Sequence, residues 1–126
     1  MSEIMEKELI SIDDMIYEVR GVQVMLDSDL AKLYQVETKR INEAVARNMD
    51  KFPERFCFRI SEIEYVNLKS QNATSKGGSR KGHTVFAEPG VYMLATILKS
   101  KVAANVSIVI MDIFVYLIMK GCVFNG

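Results

Sequence analysis

Cysteine, proline and histidine are scarce in this chain, at two, two and one among 126 residues. With only Cys57 and Cys122, no disulfide framework or cysteine-rich metal site can be assembled. Cys57 stands between Phe56 and Phe58, which predicts a buried sheet position rather than a reactive thiol. The single histidine, His83, lies beside a glycine-rich basic stretch with no catalytic or metal-ligand set around it, and reads as exposed polar surface. Gly77-Gly78 lacks the strand-to-helix context of a phosphate-binding loop, and Glu62 and Glu64 fit a solvated helix start. No enzyme is therefore expected, and no cofactor or bound metal. A basic, apolar leader is missing as well, because Glu3, Glu6 and Glu8 interrupt the start of the chain. The expected compartment is a reducing cytoplasm.

What is present is a globular composition, 49% hydrophobic and 25% charged, of a length that suits one domain. Net charge is zero, but it is unevenly spread. Residues 1–29 carry eight acids against Lys7 and Arg20, a local charge of −6, so the remainder carries +6. Local fields decide docking on phosphate more than the total does.

The periodicity predicts a mixed fold. Residues 1–14 are an acidic leader, 15–120 a single domain, and 121–126 a tail that reads as a truncated end. Ile16-Tyr17-Glu18-Val19 and Val22-Gln23-Val24-Met25 flank Arg20-Gly21 and predict a β-hairpin. A short helix starts at Asp27-Ser28-Asp29, capped by Asp27 or Ser28, and ends near Gln35. A second helix covers residues 38–49, with Ile41, Ala44, Val45, Met49 and Phe52 on its inner stripe, and Pro53 stops it. A strand at 56–60, a helix capped by Ser61, a polar loop at 71–82, a strand at 84–86 and a helix with Pro89 in its first turn follow. A last helix is expected over 101–120, stopped by Gly121. The fold class is thus α+β: a small helix-turn-helix-containing domain with a short hairpin or sheet, a flexible basic wing-like loop and a long C-terminal helix.

The chemistry concentrates between residues 26 and 58. Two helices joined by Gln35-Val36-Glu37 have helix-turn-helix spacing, with Ala31 small enough for a close crossing. Such a pair holds its second helix where it can enter a major groove about 12 Å wide. With Ile41 and Val45 inward, Lys39, Glu43, Ala46, Arg47 and Asp50 face outward and Arg40 lies on the flank. Asn42 is placed to pair with adenine, whereas Asn48 falls inward and is expected to bond the turn near Pro53. Residues 69–83 contain Lys69, Lys76, Arg80 and Lys81 and no acid, which suits a clamp along phosphates. The plain alternatives are a solvated charged face and an ordinary linker.

These same residues resemble a known family. Ile16-Tyr17-Glu18-Val19-Arg20-Gly21, Val24 to Tyr34, Val36 to Glu43, Arg47-Asn48 and Phe52-Pro53-Glu54 are similar to the KilA-N DNA-binding family, in its phage open-reading-frame-six-N-terminal branch. The likeness resumes at Leu68-Lys69-Ser70-Gln71, at Phe86 to Val91 and at Leu98-Lys99-Ser100, and spans roughly residues 15–116. It implies a phage or prophage DNA-binding module, a transcriptional regulator or antirepressor-like protein on double-stranded DNA, using residues 37–50 and 69–83. The candidate contacts are Thr38, Lys39, Arg40, Asn42, Arg47, Lys69, Lys76, Arg80 and Lys81. Gln35 stands where the family has glycine, and a left-handed backbone there would be strained.

Two other readings rest on the apolar stretch 102–119. About 20 apolar residues span a bilayer, but Asn105, Ser107 and Asp112 interrupt this run, so no membrane is expected. A core or dimer helix fits better, with Ile108, Met111, Val115 and Ile118 packed inside and Ile110, Phe114 and Tyr116 partly exposed. A homodimer through residues 101–119, or a pure oligomerisation or adaptor protein, follows from that surface.

Overall fold

A computed structural model of the chain describes residues 12–70 and 83–125, with side chains as far as Met119. Most of the acidic leader lies outside the described residues. The fold is α+β, as expected. Four strands, β1 (Ile16–Val19), β2 (Val22–Leu26), β3 (Cys57–Ile60) and β4 (His83–Phe86), form one antiparallel sheet in the order β1-β2-β4-β3. Among the described residues the helices that flank it are α1 (Asp27–Tyr34), α2 (Thr38–Arg47), α3 (Glu62–Lys69), α4 (Glu88–Leu98) and α5 (Lys101–Asn125).

The pleat sorts the apolar residues into two cores, one on each face of the sheet. Val24, Leu26 and Val85 pack with Tyr65 and Leu68 of α3. Their neighbours Met25 and Phe86 turn to the other face, against Leu30, Tyr34, Ile41, Val91, Leu94, Ile110 and Phe114 of the remaining helices. Phe52 meets Phe86 edge-on at 6.1 Å and closes this larger core beneath α2.

The hairpin turn is as predicted. Arg20 (φ 54°) and Gly21 (φ 78°) are both left-handed, the twist that suits a two-residue turn. Arg20 is held there by a bidentate pair with Glu64, Nε to Oε2 at 2.8 Å and Nη2 to Oε1 at 2.9 Å, and its guanidinium covers Phe58. Glu64 also completes the Ser61 capping box of α3, so one carboxylate fastens the hairpin to that helix. Both groups of contacts stabilise its ionised form, and its pKa falls to about 2.

Several expectations need correction. Leu26, not Asp27 or Ser28, is the N-cap of α1, because β2 runs directly into the helix. Asp27 occupies the first helical position, where Oδ1 accepts the Ser28 N–H at 2.7 Å. α2 stops at Arg47, and a 3-10 turn at Met49–Lys51 takes Met49 out of the stripe, leaving it 66% exposed. His83 is buried and stacked on Tyr65 at 3.6 Å, not exposed, since it begins β4 on the α3 side of the sheet. Gly121 does not stop α5, which continues to Asn125. The inner face of α5 is Ala103, Ser107, Ile110 and Phe114, while Ile108, Val115 and Ile118 are exposed. Ser107 anchors that face, bonding the buried Tyr34 hydroxyl at 2.6 Å. Cys57 is buried in the sheet as predicted.

Candidate nucleic-acid interface

The helix pair is built by a glycine-type turn without glycine. Gln35 is left-handed (φ 63°), its N–H donates to the Lys32 carbonyl, and the Val36 N–H donates to the Ala31 carbonyl. This is a Schellman ending, which turns the chain sharply away from α1. Val36 packs on the core beside the buried Ala31, and α2 leaves at Thr38 with Ile41 fully buried beneath it.

That seating leaves the opposite side of α2 in solvent. Lys39, Arg40, Glu43, Ala46, Arg47 and Asp50 are all exposed, as the helical spacing predicts, and Thr38 is half-buried. Lys51, exposed in the following 3-10 turn, adds a cation that the helical spacing did not single out. Four cations therefore share this surface with Glu37, Glu43 and Asp50.

Asn42 does not join them. Its amide donates to Asp27 Oδ2 at 2.8 Å and to the Thr38 carbonyl at 3.2 Å, and its carbonyl oxygen accepts the Thr84 hydroxyl at 2.9 Å. Both ends of the side chain are committed, so its expected role as an adenine reader is replaced by a structural one. Asn42 ties the start of α1, the second turn of α2 and the start of β4 together. Asn48 is half-buried, as its inward position predicts, but it bonds the Ala44 carbonyl at 2.8 Å rather than the Pro53 turn.

The basic segment meets the sheet at that same knot. Lys69 closes α3, with its ammonium 5.8 Å from the rings of both Tyr17 and Tyr65, on the far face of the sheet from α2. Lys76, Arg80 and Lys81 lie outside the described residues. The segment re-enters at His83 and Thr84, and Thr84 is the residue that bonds Asn42. Asp29, nearby in the first turn of α1, is buried with Oδ2 unpartnered among the described residues. Burial raises its pKa, against the pull of Lys69 and Lys32. A cleft of about 770 Å³ lies elsewhere, between the hairpin turn, Phe58, Pro89 and the Phe114–Ile118 side of α5, and among the described residues no candidate contact lines it.

The fold and its surface define a small α+β module with an exposed, cation-bearing second helix set on a helix-turn-helix-like pair. The ORF6N domain model matches residues 14–97, two thirds of the chain, and the chain belongs to that phage-associated family. No curated protein and no solved structure shows significant similarity to it.

Proposed function

We propose that this chain is a phage or prophage double-stranded-DNA-binding protein, kin to the KilA-N domain, that acts as a transcriptional regulator or antirepressor-like module rather than as an enzyme. The observation that carries the reading is the Asn42–Thr84 bond. It fixes the exposed helix α2 against the strand into which the basic 69–83 segment runs. Lys39, Arg40, Arg47 and Lys51 meet phosphates or guanine edges in the major groove, and the basic segment 69–83 adds phosphate contacts of its own. Glu43 and Asp50 weaken simple phosphate attraction on this face, so Lys76, Arg80 and Lys81 supply much of the non-specific affinity.

The test is fluorescence anisotropy with duplex DNA across a salt series. Affinity is expected to fall steeply with salt. The triple variant Lys39→Ala/Arg40→Ala/Arg47→Ala is expected to lose on the order of tenfold or more in affinity while its helical spectrum is unchanged. Unaltered binding by that variant removes α2 from the interface. Selection from a random DNA pool then separates specific readout from backbone attraction.

A further inference from the structure

We propose that α5 is a dimerisation helix, which pairs with α5 of a second copy of this chain through Lys101, Ala104, Ile108, Met111, Val115 and Ile118. The helix carries two stripes of seven-residue period. Ala103, Ser107, Ile110 and Phe114 form the buried one, already used inside the domain. The second steps by three, four, three, four and three residues, the spacing of a coiled-coil seam. Its members are left in solvent: Ile108 is 62% exposed, Val115 45% and Ile118 48%, with Lys101 and Ala104 exposed and Met111 half-buried.

Three features favour a second copy as the occupant. First, the seam is self-complementary. In an antiparallel pair Ile108 faces Met111 of the second copy and Ala104 faces Val115, so large and small side chains alternate, and the Lys101 stem covers Ile118. Second, the area suffices: these side chains would remove on the order of 1,000 Å² across two copies, the lower bound of a specific interface. Third, the face is wrong for lipid. Lys101–Met119 is long and apolar enough to cross a bilayer, but Asp112 is exposed beside the seam and the inner face is occupied by the domain. The stripe also lies beyond residues 14–97, the part of the chain that matches the family model. Pairing does not depend on the DNA reading, though it would present two copies of α2 to a site of twofold symmetry.

The experiment is sedimentation velocity on the full chain without DNA, over a concentration series. The expected species has twice the 14.3 kDa chain mass. Ile108→Glu/Val115→Glu is expected to weaken self-association by on the order of a hundredfold or more, with an unchanged circular dichroism spectrum and a melting temperature that no longer rises with protein concentration. Ala104→Arg, a single change at an exposed position, is expected to act the same way should the double variant fold poorly. The Lys39→Ala/Arg40→Ala/Arg47→Ala variant is expected to remain dimeric, which keeps failure of the seam distinct from failure of the α2 surface. A wild-type chain that stays monomeric up to its solubility limit overturns the proposal. So does undiminished self-association in both seam variants, or flotation of the wild-type chain with phosphatidylcholine vesicles.

Discussion

Gln35 shows how one residue can hold a functional element at a cost. The Schellman ending of α1 needs a left-handed residue, and a side chain there costs about 1 kcal/mol relative to glycine. Gln35→Gly is therefore expected to raise stability by about 1 kcal/mol in urea unfolding, with DNA affinity unchanged. A decrease in stability would show that the Gln35 side chain contributes something the turn geometry does not reveal. Asn42 is the opposite case. Its replacement by Ala removes three hydrogen bonds and strands Asp27 Oδ2 and the Thr84 hydroxyl, a loss of about 1–3 kcal/mol. DNA affinity should fall too, as α2 loses its tie to β4; a variant that binds normally would mean the knot does not position the interface. Sequence alone could not separate this structural asparagine from a base reader, since the same amide serves both and only the partners differ. The burial of His83 is hidden from the sequence for a related reason: its neighbours in sequence are polar, but its stacking partner Tyr65 comes from another element.

At the scale of elements, the legible parts were those whose signal is local. The hairpin followed from Arg20-Gly21 between two β-rich runs, α3 from Ser61 and Glu64, and the exposed side of α2 from its single apolar stripe. The phase of α5 was not legible, because that helix has two apolar stripes and the truly buried one contains a serine. Ser107 makes the inner stripe look inferior until Tyr34, 73 residues away in sequence, is seen to bond it. Tyr34→Phe is thus expected to cost about 1 kcal/mol by leaving the Ser107 hydroxyl without its partner, and Tyr34→Phe/Ser107→Ala to recover part of that loss. Additive losses in a double-mutant cycle would count against a coupled contact. A second junction is tighter still. A Cβ on Gly90 would overlap the Phe56 carbonyl oxygen, where the start of α4 crosses the chain leading into β3. Gly90→Ala should lower stability by about 1–3 kcal/mol, and a neutral result would require that α4 can slide away from Phe56.

For the whole molecule, the buried and paired ionisable groups set opposite limits of pH. Glu64 has its pKa lowered to about 2 from an ordinary 4.5, so its pairing with Arg20 and Ser61 contributes stability above pH 4.5 that is lost as pH falls toward 2. Asp29 acts in the other sense: burial raises its pKa, so its protonation in acid favours the folded chain and offsets part of that loss. The alkaline side has no such offset between Cys57 and Tyr34. Burial raises the Cys57 thiol from 9.0 to about 11 and the Tyr34 hydroxyl from 10.0 to about 12, and in both the protonated form is the one the fold favours. Their contribution is complete below pH 9 and is lost as pH rises through 11 and 12, on the order of 1–2 kcal/mol each by pH 11. Urea unfolding from pH 3 to 11 should therefore show a shallow acid limb and a steeper alkaline one. Cys57→Ala and Tyr34→Phe should each flatten the alkaline limb while lowering stability at neutral pH, and Asp29→Asn should steepen the acid limb by removing the offsetting proton. An alkaline limb of unchanged slope in both variants would place the titrating groups elsewhere.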